Sequence, residues 1–168
     1  MFEKILVAVD NNVDKTEIYQ HVFDEAVSLA KAMNAHLMLL HVFYPFDDEF
    51  LNALVVEPHI VHPTLYMETN KEYVSRLEEW KKQGVDFLKS LNEKAINEGV
   101  TTEFTLKAGD AGRMICEVAR NWDADLIIVG RRGHTGLSEF LLGSVSNYVL
   151  HHAHCSVLTV QGATQAVS

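Results

Sequence analysis

The chain has 168 residues, enough for one domain whose core needs no disulfide or metal staple, and its 48% hydrophobic and 22% charged residues are those of an ordinary globular protein. A net charge of −9 speaks against general affinity for nucleic acid or anionic membranes, which need a basic face to displace counterions. No apolar run approaches the ~20 residues that span a bilayer, and Met1-Phe2-Glu3-Lys4 leads straight into a strand rather than a signal peptide, so a cytoplasmic protein is expected.

Lys4 to Val9, KILVAV, is a short β-branched apolar run closed by Asp10, Asn11 and Asn12. It reads as a buried strand with Asp10 first at its carboxyl end. From Thr16 to Asn34 the apolar residues Ile18, Val22, Ala26, Leu29 and Met33 recur with helical period, and Asn34 is the stop. His36 to Val42, HLMLLHV, is a second buried strand, parallel to the first because a helix joins them. Its last residue, Val42, therefore faces the same carboxyl edge as Asp10. His36 and His41 read as strand-end histidines without a ligand role. Phe43 to Tyr66 carries all three prolines and is the least regular stretch. It reads as an irregular insertion that caps a ligand, meets a partner, or merely holds a short helix around Asp48 to Leu54.

Glu68 to Glu98 is one long helical pattern, with Tyr73, Leu77, Trp80, Phe87, Leu88, Leu91 and Ala95 on its apolar stripe. Gly84 lies beside that stripe and marks a kink or a close approach; Gly99 closes the helix. Glu103 to Lys107, EFTLK, alternates as an edge strand does. Gly109-Asp110-Ala111-Gly112 turns the chain into a helix from Arg113 to Trp122, with Asp110 as turn or cap. Cys116 in this helix and Cys155 ahead of the last strand sit among apolar neighbours and read as buried free thiols. Leu126 to Val129 is a fourth strand, Ser144 to about His152 a short helix and Ser156 to Val160 a fifth strand, so the domain would run over 1–161 with 162–168 as a frayed tail. Five apolar strands alternating with helices specify an α/β domain with a mainly parallel sheet covered on both faces.

The stretch Gly130 to Ser146, GRRGHTGLSEFLLGSVS, joins a buried strand to a helix N-terminus, where unpaired N–H groups and the helix dipole favour an anion. Gly130, Gly133 and Gly143 let a ligand approach the backbone. Ser144 and Ser146 add hydroxyl donors, and Arg131, Arg132 and His134 add cationic or protonatable groups. A plain strand-to-helix turn would need one glycine rather than three at this spacing with two serines and two arginines. There is no Gly-Lys-Ser or Gly-Lys-Thr, so the motif is not a Walker A loop, and its spacing is not that of a dinucleotide fingerprint.

Gly-x2-Gly-x9-Gly-Ser, preceded by ADLIIVG and followed by a helix and the strand CSVLTV, resembles the nucleotide-binding signature of the universal stress protein family, in its ATP-binding subgroup; the likeness runs from KILVAVD to SVLTV. The resemblance implies a Rossmann-like sheet with strand order 3-2-1-4-5, which sets Asp10 and Gly130 on one crevice at the reversal of winding. It further implies that Asp10 meets ribose or a phosphate-bound Mg²⁺, that backbone groups around Val42 read the adenine edge, and that Val129, Gly130, Arg131 and Gly133 wrap ribose and phosphates. Gly143, Ser144, Val145 and Ser146 would supply phosphate-facing N–H groups and hydroxyls. Asn11-Asn12-Val13-Asp14 departs from the family's short glycine- or serine-containing turn. The resemblance also implies a homodimer paired through Ser156 to Val160.

The function expected on these grounds is a stress-response regulator that binds ATP, ADP or AMP with slow or no hydrolysis and acts through a protein partner the sequence does not identify. One alternative is a weak ATPase at the same site, with Asp10 holding Mg²⁺, Arg131 stabilising charge and His134 as the candidate base. Another is a holdase-like protein that uses the Phe43 to Tyr66 segment, with nucleotide incidental. His151, His152, His154 and Cys155 lack a second matching ligand group and read as last-turn histidines at the negative end of a helix dipole rather than as a zinc site.

Overall fold

The computed structural model describes residues 1–11, 16–44, 63–131 and 142–161, with the backbone alone for 16–18 and 63–70. In chain order the elements are β1 (Lys4–Ala8), α1 (Thr16–Met33), β2 (His36–Phe43), α2 (Pro63–Asn97), β3 (Thr102–Ala108), α3 (Ala111–Asn121), β4 (Leu126–Gly130), α4 (Ser144–His152) and β5 (Ser156–Val160). All four pairings are parallel and the order is β3-β2-β1-β4-β5. Going from β1 to β2 to β3 the chain steps one way along the sheet; it then crosses back to β4 and steps the other way to β5. Right-handed crossovers therefore place α1 and α2 on one face and α3 and α4 on the other.

The period of two along each strand shows in the core. Ile5, Val7, Leu37, Leu39 and Ile128 pack under Val22, Phe23 and Ala26 of α1 and Leu88, Leu91 and Ala95 of α2. Their neighbours Leu6, Met38, Leu40, Ile127 and Val129 face Ile115, Val118 and Ala119 of α3 and Val149 of α4. The outer strand β3 is half-buried at best, as its charged and apolar alternation requires.

Three helices stop by the same device. Asn34, Gly99 and Asp123 follow α1, α2 and α3 with φ of 52°, 83° and 56°. The next residue in each case, Ala35, Val100 or Ala124, returns its N–H to the carbonyl five residues back, at 2.8 to 3.1 Å. Asp110 caps α3 by accepting from the Arg113 N–H at 3.0 Å, in keeping with its reading as a cap. The longest helix begins earlier than its apolar stripe suggests, at Pro63 rather than near Glu68, and β2 runs through Phe43. Proline at a first helical position has φ already set and no N–H to lose. Asp48 to Leu54 and 162–168 lie outside the described residues.

Glycines admit two close contacts. A Cβ on Gly84 of α2 would lie 2.9 Å from Leu106 Cδ1 and 3.3 Å from His41 Cδ2, so the missing side chain is what seats α2 on β2 and β3. A Cβ on Gly112 of α3 would lie 2.8 Å from Tyr148 Cδ1, 2.9 Å from its Cγ and 3.0 Å from its Cβ, which sets the approach of α3 to α4.

Candidate functional site

The jump from β3 back to β4 leaves β1 and β4 side by side with their outgoing chains bound for opposite faces. A cleft opens above that point, as it does in open α/β sheets generally. Its volume is about 630 Å³, in the range of small-molecule sites. The floor is apolar, made by Ala8, Leu40, Val129 and Ile115. Asp10 and Asn11 rise from the end of β1, Val42 and Phe43 from β2, and Gly130 from β4. Val145 and Ser146 bring in the first turn of α4, while Trp80 and Gln83 form part of the wall from α2 and Asp110 and Ala111 part of it from the start of α3.

The first turn of α4 is built for its place. Gly143 stands at the N-cap in an extended conformation and no side chain caps it. Its N–H goes to the Arg131 carbonyl at 2.8 Å, and its own carbonyl accepts the first helical bond from Asn147 at 2.9 Å. Ser146, 1% exposed, has its hydroxyl 3.0 Å from the carbonyls of both Arg131 and Gly143. A buried hydroxyl needs a partner. The single hydroxyl hydrogen of Ser146 therefore ties the helix to the end of β4, and what this turn offers an anion is its backbone N–H groups and the dipole.

At the other side of the reversal, Asp10 is engaged by Tyr19 of α1. Burial first, and then the charge of Asp10 and a side-chain hydrogen bond to it, push the Tyr19 phenol well above its ordinary 10.0. The phenol keeps its proton and donates it toward the carboxylate. Next to this pair His41, 8% exposed, has Nδ1 at 3.0 Å from the Val9 carbonyl, and a carbonyl can only accept, so Nδ1 carries the hydrogen. Its ring meets Phe87 edge-on at 5.7 Å. His41 thus lines the cleft while holding β2 to the end of β1.

Of the residues singled out from the sequence, the structure brings Asp10, Val42, Val129, Gly130, Val145 and Ser146 to the cleft. Arg131 adjoins it in sequence, but its guanidinium donates to Gln161 Oε1 at 2.8 Å and its N–H to the Val160 carbonyl at 2.8 Å, so it braces the ends of β4 and β5. Ser144 is exposed on α4 and, with the N-cap Gly143, adjoins the cleft without lining it. Gly133, Arg132 and His134 lie outside the described residues, as do Asn12, Val13 and Asp14. Tyr19, Trp80 and Gln83 were not foreseen: Trp80 reads as an ordinary residue of its helix's apolar stripe, and nothing local marks any of the three as facing a crevice.

A Mg²⁺ ion ordinarily takes one or two protein carboxylates and completes its shell with water and substrate phosphates. Among the described residues no group of three or more His, Cys, Asp or Glu stands together to hold an ion. Asp10 alone fits a metal that arrives on a triphosphate, since a carboxylate has lone pairs for more than one partner. His152 has Nδ1 2.8 Å from the Tyr148 carbonyl and stacks on the Tyr148 ring at 3.9 Å, a helix-end role in line with the reading made of the C-terminal histidines. Both cysteines are free thiols, Cys116 buried and Cys155 half-buried. No described helix is long and apolar enough to cross a membrane.

Residues 1–161 match the model of the Universal stress protein family. The chain is 37% identical over 164 residues to Universal stress protein Sll1388 of Synechocystis sp., covering 95% of this chain and 98% of that one. Among solved structures it is similar to a universal stress protein family protein from Arabidopsis thaliana with AMP bound, at a TM-score of 0.63 and 21% identity, covering 99% of this chain and 96% of the other. It is also similar to a universal stress protein in complex with cAMP, at a TM-score of 0.62 and 22% identity, covering 96% and 98%. At such identities the likeness to the solved structures is one of fold.

Proposed function

This chain belongs to the universal stress protein family, and from that premise we propose that it is a regulatory protein of the stress response that binds an adenine nucleotide, ATP in its resting state, with slow or no hydrolysis. The observation that carries the reading is the cleft of about 630 Å³ at the reversal between β1 and β4, with the uncapped N-terminus of α4 at one end and a largely apolar lining to which Asp10, Asn11, Gln83 and Asp110 add polar groups. Such a helix end suits phosphate and such a lining suits a heterocycle. The AMP and cAMP held by two proteins of the same fold support the ligand class.

In this reading Asp10, steadied by Tyr19, accepts from ribose hydroxyls or meets a Mg²⁺ carried by the triphosphate. The backbone at Val42 meets the adenine edge. Val129, Gly130, Arg131 and Gly133 are the residues assigned to ribose and phosphates, and the N–H groups of Ser144, Val145 and Ser146, beyond the Gly143 N–H that is held by the Arg131 carbonyl, take the phosphate oxygens. The same family membership, together with β5 standing at the edge of the sheet with Leu158 41% exposed, supports a homodimer through Ser156 to Val160.

The test is to denature freshly purified protein, identify the nucleotide released and its amount per subunit, then titrate ATP with and without Mg²⁺. Retained ATP near one per subunit is the expected result. No nucleotide and no ATP binding would overturn the reading, and mostly ADP with multiple turnovers would replace it with an ATPase. Gly130→Ala and Gly143→Ala should each lower ATP affinity, because a Cβ obstructs approach to the peptide N–H groups. Sedimentation at micromolar concentration should show a dimer.

A further inference from the structure

We infer that Trp80 is the stacking wall for the ligand's heterocycle, and so a specificity-determining residue of the cleft; this rests on the adenine-nucleotide reading above. The placement follows from α2. That helix leads from the carboxyl end of β2 to the amino end of β3, so it runs antiparallel to both. Gly84 seats it against them, a Cβ there falling 2.9 Å from Leu106 Cδ1 and 3.3 Å from His41 Cδ2. One turn back toward the helix N-terminus is about 6 Å, close to the roughly 7 Å that separates Leu106 from Ala108, the last residue of β3. Trp80 therefore stands on the sheet-facing side of α2 level with the strand ends. Helical side chains lean toward the N-terminus, which carries the half-buried indole out over the cleft.

The cleft has two chemically distinct ends. Phe43, Tyr44 and Trp80 bring aromatic rings to the end under α2; Gly130, Val145 and Ser146 bring backbone and a helix N-terminus to the other. Val42 precedes Phe43, so the backbone that would meet the edge of a base lies at the same end of the cleft as the indole that would cover its face. The polar neighbour of Trp80 on the wall, Gln83, has its amide nitrogen turned to Glu79 Oε1 at 3.3 Å, and the indole is the flat apolar surface that α2 presents beside it. An indole stacks on any planar heterocycle and gains little from a sugar phosphate. The ligand class that fits is a 5′-phosphorylated purine nucleoside with its base under α2 and its phosphate at α4.

The other tryptophan makes the test clean. Trp122 sits at the amino edge of the sheet, edge-on to His36 at 5.5 Å and under Lys4 Nζ at 5.2 Å. His36 and Phe43 are the two ends of β2, so Trp122 is roughly 23 Å from the aromatic end of the cleft. In a Trp122→Phe protein, AMP should quench the remaining indole emission in step with binding heat. Trp80→Ala should weaken AMP about 5- to 100-fold, while ribose 5-phosphate affinity stays within about twofold, and Trp80→Phe should restore most of the AMP affinity. AMP binding with unaltered emission, and with affinity unaltered in Trp80→Ala, would overturn the assignment and leave the nucleotide reading standing. Equal losses for AMP and ribose 5-phosphate would make Trp80 a structural residue only. These titrations use protein stripped of bound nucleotide, and absence of heat with both AMP and ATP in the unsubstituted stripped protein would overturn both.

Discussion

Gly112→Ala tests how tightly the geometry of the cleft is held. The added Cβ would meet Cδ1, Cγ and Cβ of Tyr148 at 2.8, 2.9 and 3.0 Å, the near end of a side chain rather than its flexible tip. The ring cannot swing aside without leaving its stack on His152, 3.9 Å away with planes 10° apart. Relief must come from moving α3 and α4 apart. Overpacking of this kind costs ~1–3 kcal/mol; alanine in a helix recovers ~0.5–1 kcal/mol relative to glycine. The extremes give about 0 to 2.5 kcal/mol and the midpoint a destabilisation of about 1 kcal/mol, which for a chain of this length lowers the thermal midpoint by roughly 2–4 °C. Because α4 carries Val145 and Ser146 into the cleft, AMP affinity should fall with it. Thermal melts and AMP titration read both effects, and the double variant with Tyr148→Ala reads the coupling. Without the ring, Gly112→Ala should cost at least 0.5 kcal/mol less, about the resolution of such a cycle. A variant as stable as the parent, or an equal cost in both backgrounds, would refute the clash.

Three further outcomes follow from local chemistry. Gly84→Ala meets mainly the far end of the Leu106 side chain, which can give way, so its melting point should fall by less than that of Gly112→Ala; an equal drop would show α2 to be as tightly wedged as α3. Asp125 accepts from the N–H groups of Glu3 at 2.8 Å and Lys4 at 3.2 Å, pinning the start of β1 beside β4; Asp125→Ala should lower urea-unfolding stability by about 1–3 kcal/mol. Tyr19, with its phenol held above the ordinary 10.0, keeps its proton in the native state while the unfolded chain loses it. Its contribution is full below pH 10 and declines as pH rises beyond it, and that part of the alkaline slope in urea titrations should vanish in Tyr19→Phe.

What was legible in the sequence is what repeats along it. The short apolar runs KILVAV and HLMLLHV, the 3.6-residue stripe from Thr16 to Asn34, and stop signals such as Asn34 and Gly99 each depend on residues close in the chain, and the strands and helices stand where those signals lie. Strand order is another matter. No residue near Lys107 announces that the chain will cross from the far edge of the sheet to the other side of β1; that came from the family resemblance, and the sheet has it.

The cleft shows the same division in sharper form. Asp10, Val42 and Gly130 could be placed at it because each ends a strand, and in a parallel sheet the strand ends share one edge. Trp80, by contrast, reaches it through two remote contacts, Gly84 against Leu106 and the antiparallel run of α2, and neither is written in the residues around Trp80. Ser146 illustrates the converse. Its position after Gly143 suggested a hydroxyl aimed at phosphate, yet burial to 1% exposure obliges that hydroxyl to bond the carbonyls around it. The part of the motif that faces outward is the backbone. A glycine-serine signature of this kind would then be constrained at Gly143 by access to the N–H groups that follow it and at Ser146 by the need to fasten α4 to β4. Replacing Ser146 with alanine should therefore weaken AMP binding through a displaced helix and lower the melting point together, whereas lost affinity at an unchanged melting point would return its hydroxyl to the ligand.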